Sequence, residues 1–330
     1  MSYPGWYYRL SSFFKKKFDE KVYKIPLDAG LTCPNRDGTI STKGCIYCYN
    51  PGFSHSALSR KEDRKQKGIR EQILLYQGRA ERGIRKGGVY HDQTLSENKC
   101  VAPRRKYLAY FQSYSNTYGD ISYLDNLYRE AIETPGVIGL SIATRPDCLS
   151  SSVFGLLESY VNDYHLWVEL GLQSSHNRTL QLINRGHDYN SFVNAVQHGH
   201  ERGIYLCVHL INGLPGESRE DMLETVRRLS GLPIQGIKFH QLQVLKGTLL
   251  EKLYLQGELE LLEEEDYVQL LCDQLEILRD DIAVHRLLAE VTRPELLLGP
   301  NWQTSRGLFV QKVERELKQR GSWQGKKCLS

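Results

Sequence analysis

Short apolar runs alternate with helical patterns along most of the chain. KVYKIPLDAG (21–30) reads as a first strand, KYLAYFQSY (106–114) as a second and VIGLSIATRPD (137–147) as a third. HLWVELGLQS (165–174) is a fourth, IYLCVHLINGLPGE (204–217) a fifth running into a turn, and GIKFHQLQVL (236–245) a sixth. Helices are predicted over 61–83, 123–136, 150–161, 189–203 and 218–230, the last with Ser218 as N-cap. Residues 84–105 are polar and read as a loop. Strands apolar on both faces, alternating with helices, imply parallel βαβ units. Six such units predict an α/β fold, a partial (β/α)6 TIM-like barrel. In such barrels chemistry gathers at the C-terminal ends of the strands.

Length and composition fit a globular protein: 330 residues, 40% hydrophobic and 25% charged. No run of apolar residues is long enough to span a membrane. In the first twenty residues the basic positions follow the apolar ones, the reverse of a secretion signal. A cytoplasmic protein is expected, with its thiols reduced.

The net charge of +4 is unevenly spread. Residues 60–106 carry fourteen Lys/Arg against six Asp/Glu, and 306–327 carry seven against two. Residues 251–281 carry eleven Asp/Glu against two Lys/Arg, and within them LEEEDYVQLLCDQLEILRDD reads as an amphipathic surface helix. Basic stretches suit a polyanion partner or a solvated face.

Three of the eight cysteines crowd into CPNRDGTISTKGCIYCYN (33–50): Cys33, Cys45 and Cys48, with gaps of eleven and two residues. Three thiolates at this spacing suit zinc, with His55 as a fourth ligand, or a [4Fe–4S] cluster with one iron left open. Cys100, Cys148, Cys207, Cys272 and Cys328 have no such spacing and read as inert. The cysteine loop follows the first strand, so it should open onto the catalytic face of the barrel.

Here the chain resembles the radical S-adenosylmethionine (SAM) enzymes. Tyr47 precedes Cys48 as an aromatic residue precedes the last ligand in that family. The first gap of eleven, where three is usual, resembles the YhcC-type branch, a relative of the Elongator catalytic subunit. AYFQSYSNTYG (109–119), LSIATRPDCL (140–149) and VELGLQSSHNRTLQLINRGHDY (168–189) match that branch, with Ser115 where Thr is usual. HLINGLPGES (209–218), IKFHQLQVLKGTLL (237–250) and HRLLAEVTRPELLLGPNW (285–302) continue the match. The implied organisation is an extension over 1–20, a radical SAM core over 21–255 and a helical and strand extension over 256–330.

The resemblance implies that Cys33, Cys45 and Cys48 hold three irons of a [4Fe–4S] cluster, while the amino and carboxylate groups of SAM take the fourth. Reduction then cleaves SAM to methionine and a 5′-deoxyadenosyl radical. Tyr47 is placed near the adenine, Asn116 and Thr117 near the methionine amino group, and Gln173 and Ser174 near ribose and carboxylate. Glu169 would point into the barrel, toward the cofactor or a structural salt bridge. Arg185 suits a carboxylate clamp, Gly213 a close approach to adenosine, and His240 the adenine or a core hydrogen bond. Arg145 and Asp147 would pair with each other or line the substrate mouth.

The implied partners are tRNA and a reducing electron donor such as flavodoxin or ferredoxin. The substrate expected from the relatives is wobble uridine, through its 5-substituent. About thirty residues follow Trp302, too few for an acetyltransferase domain, so acetyl-CoA chemistry is not expected. A radical enzyme acting on a small molecule or peptide, and a zinc-containing nucleic-acid-binding protein, remain as alternatives.

Overall fold

The computed structural model describes residues 5–49, 67–81 and 105–328. Within them the apolar runs are strands and the 3.6-periodic segments are helices. Helix α1 (Leu10–Phe18) precedes strand β1 (Val22–Leu27), and α2 (Ile69–Glu81) leads to β2 (Lys106–Phe111). Next come α3 (Ile121–Ile132), β3 (Val137–Thr144), α4 (Ser151–Val161) and β4 (His165–Gln173). The short α5 (Asn177–Leu182) and α6 (Tyr189–Glu201) precede β5 (Tyr205–Asn212), and α7 (Arg219–Ser230) precedes β6 (Gly236–Gln241). Asp120, Ser150, Asp188 and Ser218 cap α3, α4, α6 and α7 with side-chain oxygens. Each such cap contributes about 1 kcal/mol.

The strands pair in the order β1-β2-β3-β4-β5-β6, all parallel, and the sheet curls into a half-barrel with helices outside. This is the expected α/β partial barrel. It has a seventh strand, however: β8 (Ala283–Arg286) pairs parallel with β6. Four residues ending in His and Arg are too short and polar to announce a buried strand.

Strand β6 stops at Gln241 rather than 245. The Gln241 side chain exchanges two hydrogen bonds with the Ala289 backbone, 3.0 and 2.9 Å, and the Leu242 amide donates to the Asn212 carbonyl, 2.8 Å. Those bonds turn the chain, so Val244–Leu245 (β7) pairs antiparallel with Leu297–Gly299 (β9). Between them α8 (Leu249–Leu255) lies beside β7.

The acidic segment is a helix, α9 (Glu264–Ile277), but not a surface one. Tyr267, Leu270, Leu271 and Leu275 are buried where α9 packs on α7 and on the C-terminal helix α10 (Arg306–Gln319). The C-terminal basic residues meet its carboxylates: Lys312 with Glu264 at 2.7 Å, Arg320 with Asp273 at 2.6 Å, and Lys327 with Glu276. Part of each segment's charge bias is thus met by the other.

The segment before β1 closes the N-terminal end of the barrel. Phe13, Phe14 and Phe18 of α1 pack on His165, Trp167 and Tyr205 at the starts of β4 and β5, with ring centroids 5.2–6.2 Å apart. Among the described residues no helix is long and apolar enough to cross a membrane.

Candidate active site

The cysteine loop leaves β1 at the C-terminal end of the half-barrel. A turn follows Cys33, whose carbonyl accepts from the Arg36 amide at 2.8 Å, and the Cys48 amide donates to the Cys45 carbonyl at 2.9 Å. The turn after α5 clamps the loop. The Ile46 amide donates to the Ile183 carbonyl at 3.1 Å, and Asn184 Nδ2 donates to the Gly44 carbonyl at 2.7 Å. Asn184 takes a left-handed backbone, φ 52°, to turn Arg185 inward.

Cys33 and Cys45 are buried and Cys48 half-buried. Asn35 Nδ2 donates to Cys45 Sγ at 3.4 Å, and Arg185 Nη1 does so at 3.5 Å. Burial acts to raise the Cys45 thiol, but the charge and hydrogen bond of Arg185 prevail and hold it below the usual range. Burial and the neighbouring Cys45 push Cys48 up to about 11. The Cys48 thiol thus lies close enough to Cys45 and Cys33 to feel the charge of both.

Among the described residues no three His, Cys, Asp or Glu side chains converge closely enough to share one metal ion. His55 lies outside the described residues, as do Cys100 and most of the 60–106 basic stretch and the 84–105 loop.

The other expected site residues line the same end of the barrel. Tyr47 is half-buried in an apolar cluster with Leu180, Ile183 and Leu214, its hydroxyl beside Cys45. Asn116 lies in the loop after β2, its Nδ2 donating to the Ala143 carbonyl at 3.0 Å. Thr117 is satisfied by Thr144 Oγ1 at 2.6 Å and the Cys148 carbonyl at 2.7 Å. Gln173 ends β4 with φ 80°, and Ser174 donates to Glu217. Gly213 takes φ +84° after β5, which a side chain would strain. Arg145 and Asp147 form a bidentate pair, 2.9 and 2.7 Å.

Glu169 points into the barrel and is fully buried. Its Oε1 accepts from Lys24 Nζ at 2.5 Å and Ser141 Oγ at 2.7 Å; its Oε2 meets His209 Nε2 at 2.8 Å and Lys238 Nζ. Protein groups thus occupy both oxygens. His240 stacks on His209, centroids 5.5 Å apart, with its Nε2 buried and unpaired among the described residues.

Three polar atoms at the thiol end stay buried without a partner among the described residues: Asn35 Oδ1, Asn116 Oδ1 and Arg145 Nη1. Gly186 lets the backbone approach two of these side chains closely: a Cβ there would come within 3.0 Å of Asn35 Oδ1 and 3.1 Å of Arg145 Nη2. Buried polar groups nearly always find partners. Two acceptors and a guanidinium N–H suit a ligand bearing both an ammonium and a carboxylate, as SAM does. The sequence reading passed over Asn35, Asn184 and Lys24; the signal for the asparagines was their place beside Cys33 and Arg185.

A parallel half-barrel with a three-thiol loop after its first strand defines a radical SAM protein. Comparison with known families agrees: residues 37–229 match the Radical SAM superfamily and 234–319 the Radical_SAM C-terminal domain. The chain belongs to the Radical SAM superfamily, whose members use a [4Fe–4S] cluster and SAM. It is 40% identical to the uncharacterized protein YtqA of Bacillus subtilis over 97% of this chain and 92% of that protein. It is 34% identical to YhcC of Escherichia coli, over 93% and 90% of the two chains. A 27% match links 49% of this chain to 30% of the tRNA uridine(34) acetyltransferase of Methanocaldococcus infernus. The fold superposes on Elp3 of the same archaeon with a TM-score of 0.63 at 17% identity, covering 92% of this chain but only 64% of that structure.

Proposed function

We propose that this radical SAM enzyme modifies a base of tRNA, acting on the 5-substituent of wobble uridine. The observation that carries the reading is the buried thiol loop under Arg185 at the open end of the barrel. The aligned half of the chain, which a tRNA uridine(34) acetyltransferase shares at 27% identity, supports the choice of substrate. Cys33, Cys45 and Cys48 would hold the cluster, and Arg185, which lowers the Cys45 thiol's pKa, would favour the thiolate that an iron takes. Bound there, the cluster would supply the electron for reductive cleavage of SAM and so the radical chemistry of the reaction.

The chain's own groups bind and orient. Asn116 Oδ1 and Arg145 Nη1, both without a partner among the described residues, would meet the ammonium and carboxylate of the methionine moiety. Gln173 and Ser174 flank the ribose, Tyr47 and Gly213 the adenosine, and Thr117 fixes the loop that carries Asn116. His240 faces the interior from β6. An electron donor such as flavodoxin or ferredoxin completes the cycle.

The test is 5′-deoxyadenosine formation by anaerobically reconstituted, reduced protein, with and without bulk tRNA. Stimulation by tRNA, together with a changed nucleoside in the digested RNA, is the expected result. Formation indifferent to tRNA overturns the tRNA assignment in favour of a small molecule or peptide. Colourless protein holding zinc without sulfide overturns the radical chemistry as well.

A further inference from the structure

Six strands each send one polar side chain into the barrel at the depth of Glu169: Lys24, Tyr110, Ser141, Glu169, His209 and Lys238. Arg286 of β8 stands in register with Lys238. Glu169 lies two residues before Gly171, whose carbonyl anchors Arg185 at the thiol level. At about 3.3 Å per residue, the layer sits roughly 7 Å below the thiols.

The charges in this layer do not balance. Lys24 and Lys238 share the one carboxylate, and Arg286 makes no ion pair or hydrogen bond among the described residues. Burial holds His209 neutral, with its pKa lowered to about 4, and burial with the Arg286 charge keeps His240 neutral too. Among the described residues three cations thus face one anion, with Arg286 half-buried. A surplus charge partly withdrawn from water is costly unless something pairs with it. Lys24 and His209 remain 17% and 16% exposed, so the layer is open to a ligand from above. The cofactor's own carboxylate has cations nearer at hand, Arg185 and Arg145, at the thiol level.

We infer that this layer is a binding site for an oxyanion carried by the substrate, held by Lys238, Lys24 and Arg286 beside the unpaired His240 Nε2. Its depth leaves room for the reacting carbon between the bound oxyanion and the cofactor. The oxyanion is a carboxylate on the modified group or a phosphate of the nucleotide. The inference rests on the radical-enzyme reading, in which substrate enters the barrel.

Thermal unfolding of the reconstituted full chain in chloride, acetate and inorganic phosphate, at matched ionic strength, tests it. At about 100 mM, acetate or phosphate should raise the wild-type melting temperature by about 1–3 °C over chloride. Arg286→Gln should lose that rise and Arg286→Lys keep part of it. In chloride, Arg286→Gln should melt no lower than wild type, because it removes an unpaired cation. A larger rise in acetate assigns a carboxylate; a larger rise in phosphate assigns a nucleotide phosphate. A wild type indifferent to both ions, or a full rise retained in Arg286→Gln, overturns the site. None of these readouts requires SAM cleavage, so failure of the radical reading shows separately, as absent 5′-deoxyadenosine.

Discussion

The guanidinium of Arg185 bridges the Cys45 thiol and the Gly171 carbonyl, with Nη1 3.5 Å from Sγ and Nη2 2.5 Å from the oxygen. One side chain thus ties the cysteine loop to the fourth strand and tunes a thiol. In metal-free protein, Arg185→Met should raise the Cys45 pKa and slow its alkylation by iodoacetamide at pH 8 roughly three- to tenfold. Mass spectrometry of labelled Cys45 reads this directly. Arg185→Lys should recover part of the rate, since charge returns without the fork.

Removing the thiol itself separates chemistry from folding. Cys45→Ala deletes one small buried atom, so the melting temperature of the metal-free protein should change by no more than a few degrees. Reconstituted iron and 5′-deoxyadenosine should both fall to background. Retained cleavage would mean that Cys45 is not a ligand.

Glu169 carries the opposite risk. Glu169→Ala leaves Lys24, Lys238 and His209 without their shared partner inside the barrel. Breaking a buried charge cluster from one side costs about 3–5 kcal/mol. Denaturant unfolding should show a loss of this size, and Glu169→Gln should show less, because the amide oxygen still accepts from the lysines.

Buried histidines make the fold acid-sensitive at a mild pH. Burial, then nearby lysines, lowers His165 to about 3, and burial lowers His209 to about 4, with His285 also well below its ordinary value. Each is neutral when folded and takes up a proton on unfolding. Their contribution is therefore present above about pH 6.5 and is lost as pH falls toward the folded values. By pH 5 His165 and His209 have each withdrawn about 2 kcal/mol. Unfolding free energy should begin to drop below pH 6.5, well before carboxylates titrate. Both His165 ring nitrogens are buried among five aromatic neighbours and have no hydrogen-bond partner among the described residues. His165→Phe should accordingly flatten the acid limb and leave neutral-pH stability equal or higher; a steeper limb would count against burial as the cause.

The six strands were legible because buried parallel strands are apolar almost throughout. The three thiols were legible because their spacing has few bland explanations. Other parts had no local signature. Leu10–Phe18 reads as a polar, lysine-rich stretch, and only its contacts with β4 and β5 show which ring faces the barrel. Ala283–Arg286 becomes a strand because β6 offers an open edge. The acidic helix looked solvated because carboxylates imply water, yet its partners lie some fifty residues further along, on α10. Glu169 could be aimed inward by alternation, but the lysines that meet it come from β1 and β6. Pairings across a closed sheet depend on curvature that no single segment carries.

The phenylalanines of α1 give the barrel a stopper. With that end packed by rings, the substrate of the proposed reaction would enter at the opposite end, beside the thiols, and product would leave the same way. A substrate seated there would be its own lid, shutting out oxygen and water while it waits.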